Sequence, residues 1–373
     1  MTDDIYVTRP HLPPLEEFKD LLGKIWDRGV LTNCGPYHEE LEASLCSYLN
    51  VPHISLFNNG TVALIVALRA LGIKGEVITT PYSFVATTHA ILWMGCTPVF
   101  VDVDPVSLNL DPARIEAAIT ENTAAILPVH CYGHPADVDA IDAIGLKHRI
   151  PVIYDAAHAF GVECHCGSVL THGDLSVLSF HATKVFNTFE GGAIVCRTPE
   201  QKRYIDQLKN FGHDGETSVI ETGINGKMSE INAAFGLLQL KYVDEAIGRR
   251  AAIDKRYRAE LAGLPGVQCL TDTGQSRQNH SYFPIRIGDA FPMNRDDLFH
   301  YMKERGVHPR RYFYPLISNF SMYRSLPSSD PAGLPNAVAA AEEILCLPIY
   351  PDLDDASVTR IVAMLHEAAT KGT

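Results

Sequence analysis

The stretch from Val152 to Gly192 restricts the possible folds more than any other part of the chain. One short apolar run in it ends at Asp155, and a second ends at Ser179 and leads to Lys184. Such runs are typical of buried parallel strands, and open α/β sheets bind ligands beyond the carboxyl ends of their strands. An acid and a lysine at that edge favour a pyridine cofactor. Asp155 would hold the ring nitrogen's proton, and Lys184 would bond the aldehyde.

Length and composition narrow the class of protein further. The 373 residues are 46% hydrophobic, which is enough for one large domain and a smaller one. Acids outnumber bases 44 to 31, giving a net charge of −13, so a nucleic acid or an anionic membrane surface is not expected as a partner. No signal peptide or membrane-length apolar run is found, which favours a cytoplasmic protein. Nine cysteines without a regular framework favour reduced thiols.

The order of the predicted elements indicates two parts. Between residues 54 and 196, strand patterns alternate with helix patterns, which predicts a mainly parallel sheet covered by helices on both faces. After about residue 241 the pattern changes to a long helix, a strand at 282–287 and further helices. We therefore predict a large α/β domain at 1–240 and a smaller α+β domain at 241–373.

Three further features suit a site for such a cofactor. The turn at 59–61 combines a helix start, a glycine and a hydroxyl, which together form an anion cradle. The aromatic run at 82–84 follows a strand end and suits a flat ring, and His158 follows Asp155 closely. Each of these features alone has an ordinary structural explanation: a capped helix, core aromatics or a core histidine. The same holds for Asp155, which could be a salt-bridged acid, and for Lys184, which could be a surface lysine.

The sequence also contains two clusters of possible metal ligands. Cys164, His165, Cys166 and His172 are close in sequence. A second cluster consists of His130, Cys131 and His134. Neither group has the paired spacing of structural zinc sites, so no metal is predicted. No G-x-G-x-x-G motif follows the first strand, and G-x-S-x-G and P-loop motifs are absent from the sequence.

Together these motifs resemble the sugar aminotransferases of the DegT/DnrJ/EryC1/StrS family, which are fold type I pyridoxal-phosphate enzymes. The resemblance extends from Leu31 to Pro348. It implies a large domain with a mainly parallel sheet between helices and a smaller C-terminal α+β domain. The matching segments are Asn-Gly-Thr-Val-Ala-Leu (59–64), Thr-Pro-Tyr-Ser-Phe-Val-Ala-Thr (80–87), Pro-Val-Phe-Val-Asp-Val-Asp (98–104), Asp-Ala-Ala-His-Ala (155–159), Ser-Phe-His-Ala-Thr-Lys (179–184), Glu-Gly-Gly (190–192) and Asn-Gly-Lys-Met-Ser-Glu-Ile-Asn-Ala-Ala (225–234).

The resemblance implies a role for each matching residue. Lys184 and Asp155 are the catalytic pair: Lys184 bonds pyridoxal 5'-phosphate and moves a proton, and Asp155 pairs with the pyridine nitrogen. Asn225 reaches the phosphate of the neighbouring subunit's cofactor, which implies a homodimer with shared active sites. The other implied cofactor contacts are Phe84 on the ring, His158 near the phenolic oxygen, and Gly60, Thr61 and Ser179 on the phosphate.

The resemblance also implies the substrates. The segment 309–315 is similar to that of members acting on 4-keto-6-deoxyhexoses, so Arg310, Tyr312 and Tyr314 are predicted to bind substrate together with His181. The expected reaction moves an amino group from L-glutamate to a nucleotide-linked keto-sugar. The sugar expected is dTDP-4-keto-6-deoxy-D-glucose, used for O-antigen synthesis. The loop at 33–36 departs from the family's usual Thr-x-Gly-Pro.

Three alternatives remain at this stage. The first is the same chemistry on a 3-keto-6-deoxy sugar. The second is a sugar dehydratase, which is disfavoured because such relatives have histidine in place of Lys184. The third is a non-catalytic regulatory homologue, which would need neither Asp155 nor Lys184.

Overall fold

The computed structural model describes residues 4–271 and 276–370. The strands are β1 (Ile5–Tyr6), β2 (His53–Phe57), β3 (Glu76–Thr79), β4 (Thr97–Phe100), β5 (Thr123–Ile126), β6 (Ile153–Asp155), β7 (Glu163–Cys164), β8 (Gly167–Ser168), β9 (Leu175–Ser179), β10 (Gly192–Cys196), β11 (Val267–Cys269), β12 (Phe283–Ile287), β13 (Val307–His308) and β14 (Ile344–Leu347). The helices are α1 (Leu15–Arg28), α2 (Pro36–Leu49), α3 (Gly60–Ala70), α4 (Ala86–Trp93), α5 (Pro112–Ile115), α6 (Val138–His148), α7 (Pro199–Leu208), α8 (Glu230–Leu261), α9 (Arg295–Lys303), α10 (Pro335–Glu343) and α11 (Asp355–Thr370). None of the described helices is long and apolar enough to cross a bilayer.

Most of the strands between His53 and Cys196 form a central sheet. Its strands form two groups, β2-β10-β9-β6 and β4-β3-β5, which parallel bridges join at Ile126–Val152 and Val129–Asp155. Its parallel pairs are β3 with β4, β3 with β5, and β6 with β9. The predicted, mainly parallel α/β sheet is therefore confirmed.

Strand β10 is the antiparallel member of this sheet, pairing with both β2 and β9. All five of its residues are buried, as are most residues of the parallel strands, so the apolar pattern does not encode strand direction. Gly192 begins β10 where it passes close to the start of α3. A Cβ there would lie 2.7 Å from the backbone carbon of Asn59, so this crossing requires glycine.

Apolar side chains fill both faces of the sheet. One cluster includes Leu41, Leu56 and Phe180, and the other includes Leu64 and Ile194. Parallel strands buried on both faces consist almost entirely of apolar residues, which explains why they were recognisable in the sequence.

A second sheet, β11-β12-β14, is antiparallel and packs with α8, α9 and α11 around a separate core. Helix α8 contributes Val243 and Ile247 to the first core and Ile253 and Tyr257 to this one. The predicted boundary at residue 240 falls inside α8, so the long helix connects both parts. The division into 1–240 and 241–373 stays a prediction.

Candidate active site

The carboxyl ends of β6 and β9 and the start of α3 surround a cavity of about 290 Å³. Most of the residues predicted to act as a site line it: Gly60, Thr61, Phe84, Asp155, His158, Ser179, His181, Lys184 and Tyr312. These residues are far apart in sequence, and the sheet brings them together because parallel strands end at the same edge.

Asp155 is the last residue of β6 and is buried. Thr87 Oγ1 donates a hydrogen bond of 2.7 Å to its Oδ2, and the Ala157 N–H donates one of 3.1 Å to its Oδ1. Burial raises the pKa of the Asp155 carboxyl, although these two donors and the charge of Lys184 act in the opposite direction. A buried carboxylate with so little compensation gains from a cationic partner in the cavity, and a protonated ring nitrogen would be one.

Lys184 follows β9 in a turn in which its N–H donates a bond of 2.9 Å to the His181 carbonyl. It is partly accessible because it lines the cavity, whereas its neighbours Val185 and Phe186 are buried, as their apolar character suggested. Desolvation lowers the pKa of Lys184 from 10.5 to about 8, and the negative charge of Asp155 only partly opposes this shift. A substantial fraction of the side chain is therefore a neutral, nucleophilic amine near pH 8.

The start of α3 provides a place for an anion. The side chain of Asn59 caps the helix by accepting a 2.8 Å bond from the Val62 N–H. Gly60 and Thr61 form the first turn and line the cavity with Ser179. The first N–H groups of a helix have no partner within it, so they suit a phosphate. A Cβ on Gly60 would lie 3.0 Å from the Cβ of Ser179, which leaves little room for a larger residue.

His158 is buried beside the cavity, with its ring 4.9 Å from that of Tyr282 and 6.0 Å from that of Phe313. Burial lowers the pKa of His158 well below its usual value, so the ring is neutral. Its Nδ1 has no hydrogen-bond partner among the described residues. An unsatisfied buried nitrogen is costly, and a polar ligand atom in the cavity would remove that cost.

The outer wall of the cavity is aromatic. Phe84 lies at the opening with 59% of its surface exposed, which is unusual for a large apolar side chain. Tyr312, from a distant part of the chain, also lines the cavity. The Tyr82 hydroxyl donates a 2.8 Å hydrogen bond to the Tyr312 carbonyl. This bond fixes the segment 310–315 next to the sheet.

An adjoining cavity of about 270 Å³ contains the other two predicted substrate residues, Arg310 and Tyr314. It shares Phe84 and Tyr312 with the first cavity, so the two are neighbours. His181 lies at the first cavity, where its Nδ1 is 2.8 Å from the Thr183 hydroxyl. The predicted substrate residues are thus distributed over two adjoining cavities.

Asn225 is not among the residues lining the cavity in the described part of the chain. It forms an antiparallel backbone bridge with Asn210, on a segment where Phe211, Val219 and Ile220 expose large apolar side chains. Exposed apolar patches of this kind mark interaction surfaces. The predicted reach of Asn225 into a neighbouring subunit stays a prediction.

Sequence reasoning did not assign roles to Thr87, Tyr282 and Phe313. Thr87 lies in α4, four residues after Ser83, whose hydroxyl is 2.9 Å from its own, and both belong to the matched segment 80–87. That spacing was the available signal. Tyr282 and Phe313 reach the cavity from distant parts of the chain, so no local pattern could have indicated them.

The chain is similar to known proteins over almost its whole length. The sequence model of the "DegT/DnrJ/EryC1/StrS aminotransferase family" matches residues 15–366. A dTDP-4-amino-4,6-dideoxy-D-glucose transaminase of Shigella dysenteriae is 54% identical over 367 residues, covering 98% of this chain and 100% of the relative. One of Escherichia coli with the same name is 52% identical over 362 residues, covering 97% and 98%. The crystal structure of DesI in the presence of its TDP-sugar product superposes with a TM-score of 0.94 at 35% identity, covering 100% and 94%.

Proposed function

The chain belongs to the DegT/DnrJ/EryC1/StrS aminotransferase family, and from this premise we propose its substrates and cofactor. The protein is an aminotransferase that moves the amino group of L-glutamate to dTDP-4-keto-6-deoxy-D-glucose, giving dTDP-4-amino-4,6-dideoxy-D-glucose. Two relatives that are more than half identical carry the name of a transaminase of this sugar. A role in O-antigen synthesis and a cytoplasmic location remain predictions.

The cavity fits pyridoxal 5'-phosphate. The first turn of α3 and Ser179 suit its phosphate, Asp155 its ring nitrogen, and the unsatisfied Nδ1 of His158 a polar atom on the ring. Phe84 suits one face of the ring. When bound, the group stores the electrons of a broken bond at the substrate carbon and carries the amino group between the two half-reactions.

The residues of the chain do the rest of the chemistry. The Nζ of Lys184 anchors the cofactor, then takes a proton from the α-carbon of glutamate and later gives one to the sugar carbon. Asp155 keeps the ring nitrogen protonated, with Thr87 and Ala157 orienting its two oxygens. The aromatic side chains of Tyr282 and Phe313 give the cavity an apolar wall, and electrostatic interactions are stronger next to such a wall than in water.

One observation carries this proposal: Lys184 and Asp155 line the same cavity at the end of two buried strands. A sugar dehydratase or a regulatory protein would not need this combination. The experiment offers L-glutamate with the dTDP-linked 4-keto and 3-keto 6-deoxy sugars, and mass spectrometry identifies the products.

We expect an amino sugar from the 4-keto substrate, formed at least about tenfold faster than from the 3-keto isomer, since a misplaced acceptor loses about 1–3 kcal/mol. Faster amination of the 3-keto sugar would reverse the substrate assignment. A product without nitrogen would indicate dehydration instead. No turnover of either sugar by protein containing the cofactor would contradict the proposal.

The pH dependence of cofactor capture follows from Lys184. We expect the rate at which cofactor-free protein bonds pyridoxal 5'-phosphate to rise with pH, to reach half its maximum near pH 8 and to level off about one pH unit higher, because the neutral amine reacts and its pKa is lowered to about 8. Below about pH 8 the neutral fraction falls about tenfold per pH unit. Stopped-flow absorbance measures the rate, and a rate still rising at about pH 10 would indicate an ordinary solvated lysine.

We also propose a homodimer whose active sites are shared through Asn225. The exposed apolar side chains at Phe211, Val219 and Ile220 support a partner surface next to it. In a dimer mixed from Lys184→Ala and Asn225→Ala subunits, one site receives both intact residues. We therefore expect about half of the unmodified activity per mixed dimer, from two nearly inactive parents.

The mixed dimers are isolated with two different affinity tags before they are assayed. The matched control mixes Lys184→Ala with unmodified subunits, which also leaves one intact site. Isolated Lys184→Ala/Asn225→Ala dimers that stay as inactive as the parents, while the control is active, would place Asn225 outside its neighbour's site.

A further inference from the structure

Away from the active-site cavity, two cysteines and a histidine come together. Cys164 ends β7, Cys166 lies in the turn before β8, and His172 follows the short 3-10 turn 169–171. The Cys164 and Cys166 sulfurs are 2.9 Å apart, and the Nε2 of His172 lies 3.5 Å from the first and 3.1 Å from the second. These three side chains form a group whose ligand atoms all lie within 4.8 Å of one another.

The histidine is held with Nε2 toward the sulfurs. Its Nδ1 is 3.2 Å from the Oδ2 of Asp142 on α6. Asp142 is itself held by the Tyr154 hydroxyl, which donates at 2.9 Å, and by the Gly173 N–H, which donates at 3.3 Å. A carboxylate that fixes the far nitrogen of a histidine is the usual support of a metal-bound imidazole.

From this geometry we propose that Cys164, Cys166 and His172 bind one zinc ion. Two thiolates and an imidazole are the ligands that Zn²⁺ prefers, and its coordination is tetrahedral. Zn–S bonds of about 2.3 Å hold two sulfurs about 3.8 Å apart, so the cysteine side chains separate by less than ~1 Å when the ion enters. Cys166 is exposed, which leaves an entry path and a fourth position for water or another solvent ligand.

The sequence argued against a metal because it lacks two cysteine pairs with zinc-finger spacing. In the structure, two cysteines and one histidine come together without that spacing, because the antiparallel pair β7–β8 reverses the chain after Cys166. Among the residues of the other sequence cluster, His130 accepts a hydrogen bond from the Ala136 N–H and stacks on Tyr154 instead.

The expected effect of the ion is structural. None of its three ligands lines the cavity that holds Lys184. The ion ties the β7–β8 hairpin to α6 through Asp142, whose partner Tyr154 immediately precedes Asp155 in β6. Bound zinc therefore stabilises the folded state by mass action and raises the unfolding temperature.

The test measures zinc in the reduced, tag-free protein with its cofactor, after dialysis against trace zinc. Plasma mass spectrometry is expected to find one zinc per chain in the unmodified protein and in Cys34→Ser, which removes an exposed cysteine elsewhere. We expect less than about a tenth of that in Cys166→Ser and in His172→Ala, since each loses a ligand. Asp142→Asn keeps the ligands and should bind about 10–100-fold more weakly.

Cobalt replacement gives a second measurement that does not depend on how the variants fold. Co²⁺ in the unmodified protein should show the visible d–d bands of a tetrahedral thiolate site, at longer wavelengths than pyridoxal absorbs. Equal zinc in the unmodified protein and Cys166→Ser would contradict the proposal. So would cobalt bands typical of an octahedral site, or a reduced protein that binds no zinc and forms only a Cys164–Cys166 disulfide on oxidation.

Discussion

Lys184→Ala is expected to lower glutamate-dependent amination by at least about 10³-fold, because the chain loses both its covalent anchor and the base that moves the proton. Lys184→Arg should be equally inactive, since arginine keeps the charge but never presents a neutral amine. The measurement is kcat/KM for the amino sugar, with cofactor content determined separately. Both proteins should still bind pyridoxal 5'-phosphate through the helix start and Asp155, but should release it on gel filtration.

The matched control is Lys74→Ala, which removes an exposed lysine between α3 and β3. We expect its kcat/KM to stay within about twofold of the unmodified protein, because exposed lysines contribute little. Turnover by Lys184→Ala above about a hundredth of normal would mean that another group moves the proton. Thermal unfolding of the cofactor-free proteins separates this outcome from misfolding.

Asp155→Asn should lower kcat/KM by about 10- to 1,000-fold. An opposite charge within about 4–6 Å shifts a pKa by about 1–3 units, and asparagine removes that charge. The ring nitrogen then loses its proton and stores electrons less well. The substitution retains the size and most of the hydrogen bonding of the side chain, so the change reports on charge.

Thr87 provides an independent test of the same contact. Thr87→Val removes the 2.7 Å hydrogen bond to Asp155 and should cost about 1.5–3 kcal/mol of the interaction, which is about 10- to 150-fold. Thr87→Ser retains the hydroxyl and should restore most of the rate. Full activity in Asp155→Asn would refute the role assigned to the carboxylate, whatever the result at Thr87.

Part of this site could be predicted because the relevant residues stand at strand ends. The apolar runs before Asp155 and Ser179 identify β6 and β9, and strand ends in a parallel sheet share one edge. Gly60 could be predicted for the same reason, because it follows β2 directly and Asn59 caps the helix that Gly60 begins. Strand ends and helix caps depend on residues that are adjacent in sequence, so the sequence alone indicates them.

Other contacts depend on pairs of residues that are distant in sequence. Thr87 on α4 donates to Asp155 at the end of β6, and His158 is placed beside Phe313 by the packing of the two parts of the chain. Helix α7 was missed because its residues are mostly polar, although Thr198 as cap and Pro199 in the first turn were available signals. Strand β14 was not predicted, because it begins directly where α10 ends and no turn residue separates its short apolar run from the helix.

The half-reaction with L-glutamate tests most directly whether Lys184 and Asp155 form a site for amino-group transfer. Protein saturated with pyridoxal 5'-phosphate is mixed with L-glutamate without any sugar, while absorbance and 2-oxoglutarate are followed. The account predicts that the absorbance band of the lysine-bound cofactor disappears and that one 2-oxoglutarate is released per chain, but none from Lys184→Ala. Protein that holds the cofactor on Lys184 yet releases no 2-oxoglutarate would contradict it.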